Sequence, residues 1–508
     1  MLQFYRVSRA GFVFLFVCLS GLAFKAEAQT KWVATWATSP EPIVSSQTAY
    51  MPPSIGLANN SLRQPLRVSI GGDTVRLRLT NEYTQVPVTL NAVTIAVSNG
   101  AGTIDTLTRR PLKFSGKDSI TMAAGAYVWS DPLAFTLTPQ ATLQVTLYFG
   151  SAPAPTASPN VTGHRGSRFT ARILAGNHVN DASFSGATTI VASYVISSLE
   201  VKAPQSAGAV AILGNSLTDG YGTTTDGYNR WTDVFATNLL AHARTSKVGV
   251  LNAGIGAGNM LSGGISTPGL QRYKRDLFDQ AGVKWIIILL GVNDIGASTC
   301  NTTISTNMIA AYTQIADSAH ARGIKVYGSP ITPFGGNGYY SASNEACRQA
   351  INTWVRTNSK YDAVIDFDKL LRNPSDTTKM RAAYDNDHLH PNVAGYALMG
   401  NSVDTSLFIE SGTNVKGAVA APGWSLSWVG SNAKGALTAR FTVPSESFVS
   451  LKVWSLQGKQ VAEMQGRSFA AGEHSVTFGA GRLKVGAYLV TLKSAGHTVT
   501  RKLVLSEN

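Results

Sequence analysis

The run Ala207-Gly208-Ala209-Val210-Ala211-Ile212-Leu213 breaks abruptly into Gly214-Asn215-Ser216-Leu217-Thr218-Asp219-Gly220. Small and branched apolar residues without polar alternation suit a strand buried on both faces. The glycine-flanked polar stretch after them suits a tight turn into a helix. Outward from this point the same grammar repeats. Residues 248–251, 284–290, 324–328 and 363–366 are further short apolar runs, and segments 231–243, 304–322, 345–357 and 394–408 read as helices between and after them. Strand–helix alternation of this kind predicts a parallel sheet covered on both faces by helices, over residues 206–410. Reactive side chains in such a sheet sit beyond the carboxyl ends of the strands.

On either side the pattern is β. In 29–205, Arg67-Val68-Ser69-Ile70 and Val75-Arg76-Leu77-Arg78-Leu79 alternate, with Gly71-Gly72-Asp73 read as the turn between them. Residues 86–97, 141–148 and 188–196 continue it, and 153–159 is a Pro/Ala/Ser loop. A β-sandwich is expected. Residues 411–424 read as a linker rich in Gly and Ala, and 425–508 as a second, small β-sandwich with strands near 448–454, 474–478 and 487–492. That unit holds ten Lys/Arg against four Asp/Glu.

The first 28 residues read as an address. Arg6 and Arg9 precede an apolar run over 10–24 that ends in Ala26-Glu27-Ala28. A charged start, an apolar centre and a small-residue cleavage site make a secretory signal, so the mature chain is expected to begin at Gln29. No later run approaches the ~18 apolar residues of a transmembrane helix.

Of 508 residues, 44% are apolar and 14% charged, which supplies ample core and excludes wholesale disorder. The formal charge of +14 favours acidic surfaces or polymers as neighbours. Lys and Arg do not cluster in runs, so nucleic acid is not an expected partner. Cys18 leaves with the signal; Cys300 and Cys347 remain, too few for a disulfide scaffold and wrongly spaced for zinc.

Four places can carry chemistry. Ser216 lies where an α/β fold presents an exposed nucleophile, although serine is also an ordinary turn residue. In Asp387-His388-Leu389-His390-Pro391, His390 can take a serine proton and Asp387, three residues earlier, can orient the imidazole. His388 is a rival base, one position from Asp387 and less well placed for its support. Asn293, in Gly291-Val292-Asn293-Asp294 after the most apolar strand, can donate to an oxyanion or simply cap a helix. Asn252-Ala253-Gly254-Ile255-Gly256-Ala257-Gly258-Asn259 allows close approach of backbone N–H groups, but lacks the Lys-Ser/Thr of a phosphate loop.

Ser, Gly, Asn and Asp-x-x-His in this order resemble the four sequence blocks of the SGNH (GDSL) hydrolase superfamily. The likeness spans about residues 207 to 405. It implies a multidomain protein with an α/β three-layer hydrolase domain built on the parallel sheet and flanked by the two β-sandwiches. It further implies Ser216 as nucleophile, Asp387 and His390 as its triad partners, and an oxyanion hole from Ser216, Gly258 and Asn293. Two departures stand out: Asn215 replaces the family's usual Asp, and the Gly block falls on Ala257 without a gap or on Gly258 with one insertion, of which Gly258 is taken.

Two further stretches refine the resemblance. Lys31-Trp32-Val33-Ala34-Thr35-Trp36, together with Ile331-Thr332-Pro333-Phe334-Gly335-Gly336, Glu345, Arg348 and Asn352, resembles the carbohydrate-esterase-like branch with an N-terminal β-domain. Gly458-Lys459, Gly486-Ala487-Tyr488 and Lys502-Leu503-Val504-Leu505 resemble the sorting-type C-terminal domains of secreted bacterial proteins. The expectation is a secreted or surface-held serine esterase that removes acyl groups, acetyl above all, from plant polysaccharides, with no cofactor and no metal. A lipase or arylesterase acting on lipids or small esters is the alternative, and a non-catalytic carbohydrate-binding surface protein a third. Expected partners are the acylated polysaccharide or small ester and, through the C-terminal domain, secretion machinery or the cell surface. Neighbouring strand ends would bring Cys300 and Cys347 together as a disulfide.

Overall fold

A computed structural model describes residues 29–297, 299–409, 424–431, 436–455, 459–479, 486–494 and 497–505. The expected export signal and residues 411–423 of the expected linker lie outside the described residues. The chain divides into two compact units, one reaching to Phe408 and the other starting at Ile409.

In the first unit the apolar runs form a five-stranded sheet in the order Val248–Gly254, Gly208–Gly214, Val283–Leu289, Lys325–Gly328, Ala363–Val364, with every pair parallel. Gly208–Gly214 is an interior strand and fully buried, as a strand with apolar neighbours on both faces must be. The helices Trp231–Ala241, Thr302–His320, Ala342–Thr357 and Val393–Ser402 follow the expected periodicity to within a few residues. Trp231–Ala241 packs on Val393–Ser402, and Thr302–His320 on Ala342–Thr357. The last expected helix stops at Ser402, and a short 3-10 turn, Thr405–Phe408, puts Phe408 against Phe235, Trp285 and Tyr327.

Residues 30–204 form antiparallel sheets. One runs Thr30–Ala37, Ile196–Pro204, Gly72–Thr80, Leu133–Leu137; another runs Thr188–Ile190, Ala171–Ala175, Asn60–Arg67, Thr142–Ser151, Val88–Gly100, Thr103–Ile104. A three-stranded ribbon of Ala192–Tyr194, Thr162–Arg165 and Glu41–Pro42 completes the region. Here the reading of Gly71-Gly72-Asp73 as a hairpin turn is corrected. Asn60–Arg67 and Gly72–Thr80 belong to different sheets, and residues 68–71 carry the chain between them. The crossing is held by Thr35, whose Oγ1 accepts the Ile70 N–H at 2.9 Å and whose carbonyl accepts the Ser69 N–H at 3.0 Å. The expected strand over 188–196 is broken by Val195, which sits at φ 54°.

Val33, Ala34, Val75 and Leu199 of the antiparallel part share one continuous core with Val210, Ile212 and Ile286 of the parallel sheet. The Ala34 N–H also donates to the Ala281 carbonyl at 2.9 Å.

The second unit has its own core of Leu426, Phe441, Val449, Leu451, Val490 and Leu492. It lies between a three-stranded sheet (Ser425–Ser431, Ala436–Val443, Gly472–Gly479) and a four-stranded one (Gln460–Phe469, Ser447–Ser455, Gly486–Ser494, His497–Leu505).

Candidate active site

Gly214 ends the strand Gly208–Gly214 where a Cβ would collide with the Thr218 side chain, so the chain can turn sharply only with glycine here. Asn215 then caps the short helix Ser216–Asp219, its side-chain oxygen accepting the Leu217 N–H at 3.0 Å. An Asn performs this capping as well as an Asp, which removes the first departure as a structural difficulty. Arg272, fully buried, fastens the ends of the first two strands by donating to the Gly214 carbonyl at 2.9 Å and the Ala253 carbonyl at 2.8 Å. It is charge-paired with Asp276 at 2.6 Å and reaches Ser39 Oγ of the antiparallel part at 3.0 Å.

On this turn Ser216 Oγ lies 2.8 Å from His390 Nε2. His390 Nδ1 lies 2.9 Å from Asp387 Oδ2, and Asp387 Oδ1 accepts the His390 N–H at 2.7 Å. Two bonds from one carboxylate to one histidine fix both the ring and its backbone. Burial alone would raise the pKa of the Asp387 carboxyl; hydrogen bonds from the backbone and ring of His390 outweigh it and hold the group below its ordinary value. Burial lowers the pKa of His390 by more than Asp387 raises it, and the Arg168 charge adds to the lowering. A neutral imidazole facing a serine hydroxyl is a competent general base. His388 belongs elsewhere: its ring is largely exposed and pairs with Asp385 at 2.7 Å.

Asn293 lies in the first turn of the short helix Val292–Gly296 after the third strand. Its Nδ2 donates to the Gly258 carbonyl at 2.8 Å, its Oδ1 accepts from the Tyr339 hydroxyl at 3.2 Å, and the residue lines the same pocket as Ser216. Asp294 beside it accepts the N–H groups of Met260 and Leu261 at 2.8 and 2.9 Å, tying this helix to the glycine-rich loop.

Gly258 does not suit the donor role expected of it. Its N–H is spent on the Ile255 carbonyl at 3.0 Å, and its contribution to the site is the carbonyl that orients Asn293. Ala257 lines the pocket instead, at φ 57°, and among the described residues no hydrogen bond takes up its N–H. The ungapped reading of the Gly block is therefore the better one.

The pocket has a volume of about 230 Å³. Its walls include residues that the sequence reading did not single out: Tyr50, Arg165 and Arg168 from the antiparallel part, and Tyr221, Tyr339 and Leu389. Arg165 pairs with buried Glu41 at 2.8 Å and donates to the Gly256 carbonyl at 3.0 Å, bracing the glycine-rich loop. His164 places Nε2 3.0 Å from Asp219 Oδ1 and Nδ1 3.0 Å from the Ser39 carbonyl. Burial lowers the pKa of His164, but the Asp219 charge and hydrogen bond, with Glu41 and Ser39 behind them, raise it further than that. With acceptors on both ring nitrogens, it is suited to carry two protons and to bind the end of the helix Ser216–Asp219 to the β-domain.

Ile331, Arg348 and Asn352 serve as scaffold. Asn352 exchanges two hydrogen bonds with the Ile331 backbone at 2.7 and 2.9 Å, and Arg348 joins Asp368, Glu345 and the Ile331 carbonyl. Cys300 and Cys347 are joined as a disulfide. Among the described residues no cluster of His, Cys, Asp and Glu could hold a metal ion, and no helix is long and apolar enough to cross a membrane.

Residues 212–398 match the family of GDSL-like lipases and acylhydrolases, and residues 433–506 match the secretion system C-terminal sorting domain. The central domain is a GDSL-like acylhydrolase domain. Solved structures resemble part of the chain at low identity. The aryl esterase of M. smegmatis is 19% identical over 40% of this chain and 98% of its own, with a TM-score of 0.31. A GDSL-like lipase from Bacteroides thetaiotaomicron VPI-5482 is 16% identical over 39% and 87%, with a TM-score of 0.30. The acetyl xylan esterase AlAXEase is 18% identical over 38% and 96%, with a TM-score of 0.30. No curated protein matches the chain. The acylhydrolase domain makes the protein an ester hydrolase. The sorting domain marks it for export, to the cell surface or beyond.

Proposed function

We propose that the protein is a secreted serine esterase that removes short acyl groups, acetyl above all, from plant polysaccharides. The observation that carries the reading is the aligned chain Ser216 Oγ, His390 Nε2, His390 Nδ1, Asp387, with separations of 2.8 and 2.9 Å. Ser216 Oγ attacks the ester carbonyl as His390 takes its proton. The tetrahedral oxyanion is held by the N–H groups of Ser216 and Ala257 and by the second N–H of the Asn293 amide. Collapse breaks the bond to the sugar oxygen, and His390 returns the proton to that leaving hydroxyl. Water, deprotonated by His390, then attacks the acyl-Ser216 carbonyl, and the carboxylic acid departs with Ser216 restored. The pocket of about 230 Å³, walled in part by tyrosines and arginines, supports a short acyl group and a polar leaving group over a long apolar chain.

Acetate release from acetylated glycans, run beside p-nitrophenyl esters of rising chain length, tests the reading. Activity is expected to fall as the acyl chain lengthens past a few carbons. A preference for long chains would replace the carbohydrate reading with the lipase one.

A further inference from the structure

Besides its tyrosines, the pocket beside Ser216 is lined by four ionisable residues: Arg165, Arg168, Asp219 and His390. Three are committed. Arg165 is paired with Glu41, Asp219 with His164, and His390 with Asp387. Arg168 is different. Among the described residues no carboxylate forms an ion pair with it, and its Nε is buried without a hydrogen-bond partner. The guanidinium rests 5.2 Å from the centre of the Tyr221 ring, which itself lies 4.4 Å from the His390 ring. A cation is therefore stationed one ring away from the catalytic base.

The backbone that delivers it is unusual. Gly166 and Arg168 both take positive φ, 58° and 59°, in the turn between Thr162–Arg165 and Ala171–Ala175. A left-handed conformation is costly for a residue with a Cβ and is held only where the surroundings over-determine it. Here the Arg168 carbonyl is fixed by the Asp226 N–H at 2.9 Å. Leaving a charge unpaired beside a half-enclosed pocket costs desolvation that an anionic ligand would recover. The net charge of +14 would bring such a ligand towards the protein.

We propose that Arg168, supplied by the N-terminal β-domain, is a specificity-determining residue that binds a carboxylate of the substrate's sugar portion, so that the preferred substrates are acylated glycans of the uronic-acid type. This rests on the esterase reading above and narrows its substrate class. A guanidinium matches a carboxylate as a two-pronged donor, and a planar charge stacked on Tyr221 keeps that geometry better than a lysine ammonium.

The matched probes are acetylated polygalacturonic acid and the same polymer with its carboxyls methyl-esterified. The intact protein is expected to favour the acidic form in kcat/KM by at least about tenfold. In Arg168→Gln the acid-to-neutral ratio is expected to fall about tenfold, with the loss carried by KM for the acidic polymer; Arg168→Lys should restore part of it. Deacetylated oligogalacturonate should bind Ser216→Ala and bind the Ser216→Ala/Arg168→Gln double variant about tenfold more weakly. A ratio that survives Arg168→Gln would assign the preference to overall charge and overturn the proposal, as would equal oligogalacturonate binding by the two variants. Thermal melts of each variant, with Arg168→Lys as the charge-retaining control, separate lost recognition from lost folding. Failure of the intact protein to hydrolyse even p-nitrophenyl acetate would sink the esterase reading, whereas the binding comparison decides the role of Arg168 without hydrolysis.

Discussion

At the scale of single residues, one carboxylate decides which histidine acts in the proposed mechanism. Asp387 binds both the backbone and the ring of His390, while His388, two residues earlier, turns outward to Asp385. His390→Ala is accordingly expected to lose activity by three or more orders of magnitude, whereas His388→Ala should stay within a few-fold; steady-state rates on a small ester check both. The depressed pKa of His390 sets the pH dependence. Only the neutral ring accepts the Ser216 proton, so kcat/KM should rise with pH through the His390 ionisation. That acid limb should have its midpoint below 6.5, the ordinary histidine value. Removing the Arg168 charge should move the limb upward, because a neighbouring cation disfavours protonation. A limb centred above 6.5 in the intact enzyme would contradict the burial of the ring.

Elements explain why part of the site was legible and part was not. Ser216, Asn293 and the Asp387–His390 turn each lie within a few residues of a strand end or a helix start, so local pattern was enough to nominate them as candidates. The Gly block was harder, because Ala257 at φ 57° occupies a conformation that sequence reasoning reserves for glycine. Arg272 was missed because its helix, Gly269–Tyr273, runs at once into the π-turn Lys274–Phe278 and never develops a readable 3.6 period. The Gly71-Gly72-Asp73 turn was misread since alternation reveals strands but not the sheet each one joins. The disulfide belongs to this scale too: it ties the segment entering Thr302–His320 to the first turns of Ala342–Thr357. It closes a loop with a sequence separation of 47; disulfides typically contribute about 2–4 kcal/mol, and the chain-entropy term for a loop of this length lies at the upper end of that range. Cys300→Ser/Cys347→Ser is expected to lose stability in that range by urea denaturation, and thiol titration of the denatured wild-type protein should find no free thiol from this pair.

For the whole molecule, the two β-rich regions have different relations to the chemistry. The antiparallel sheets of residues 30–204 share a core with the acylhydrolase domain and reach its site at Ser39, His164, Arg165 and Arg168. These contacts span large sequence separations, which is why the sequence suggested a neighbouring domain and could not show a shared pocket. A chain starting at residue 206 should therefore be poorly soluble or inactive. The C-terminal unit has its own core, and none of the proposed catalytic or binding residues lies in it. A chain ending near residue 412 should keep hydrolysis of a soluble ester within a few-fold while its export or surface retention changes. Expression of the two truncated chains beside the full one, with melting curves and rates, tests both statements.

The central claim is that Ser216 becomes covalently acylated through His390. Treatment of the full-length protein with a fluorophosphonate, followed by intact-mass and peptide mass spectrometry, measures this directly. One adduct is expected, on Ser216, forming in step with loss of ester hydrolysis, absent from Ser216→Ala and much slowed in His390→Ala. An adduct on another residue, or hydrolysis that persists once Ser216 is fully modified, would contradict it.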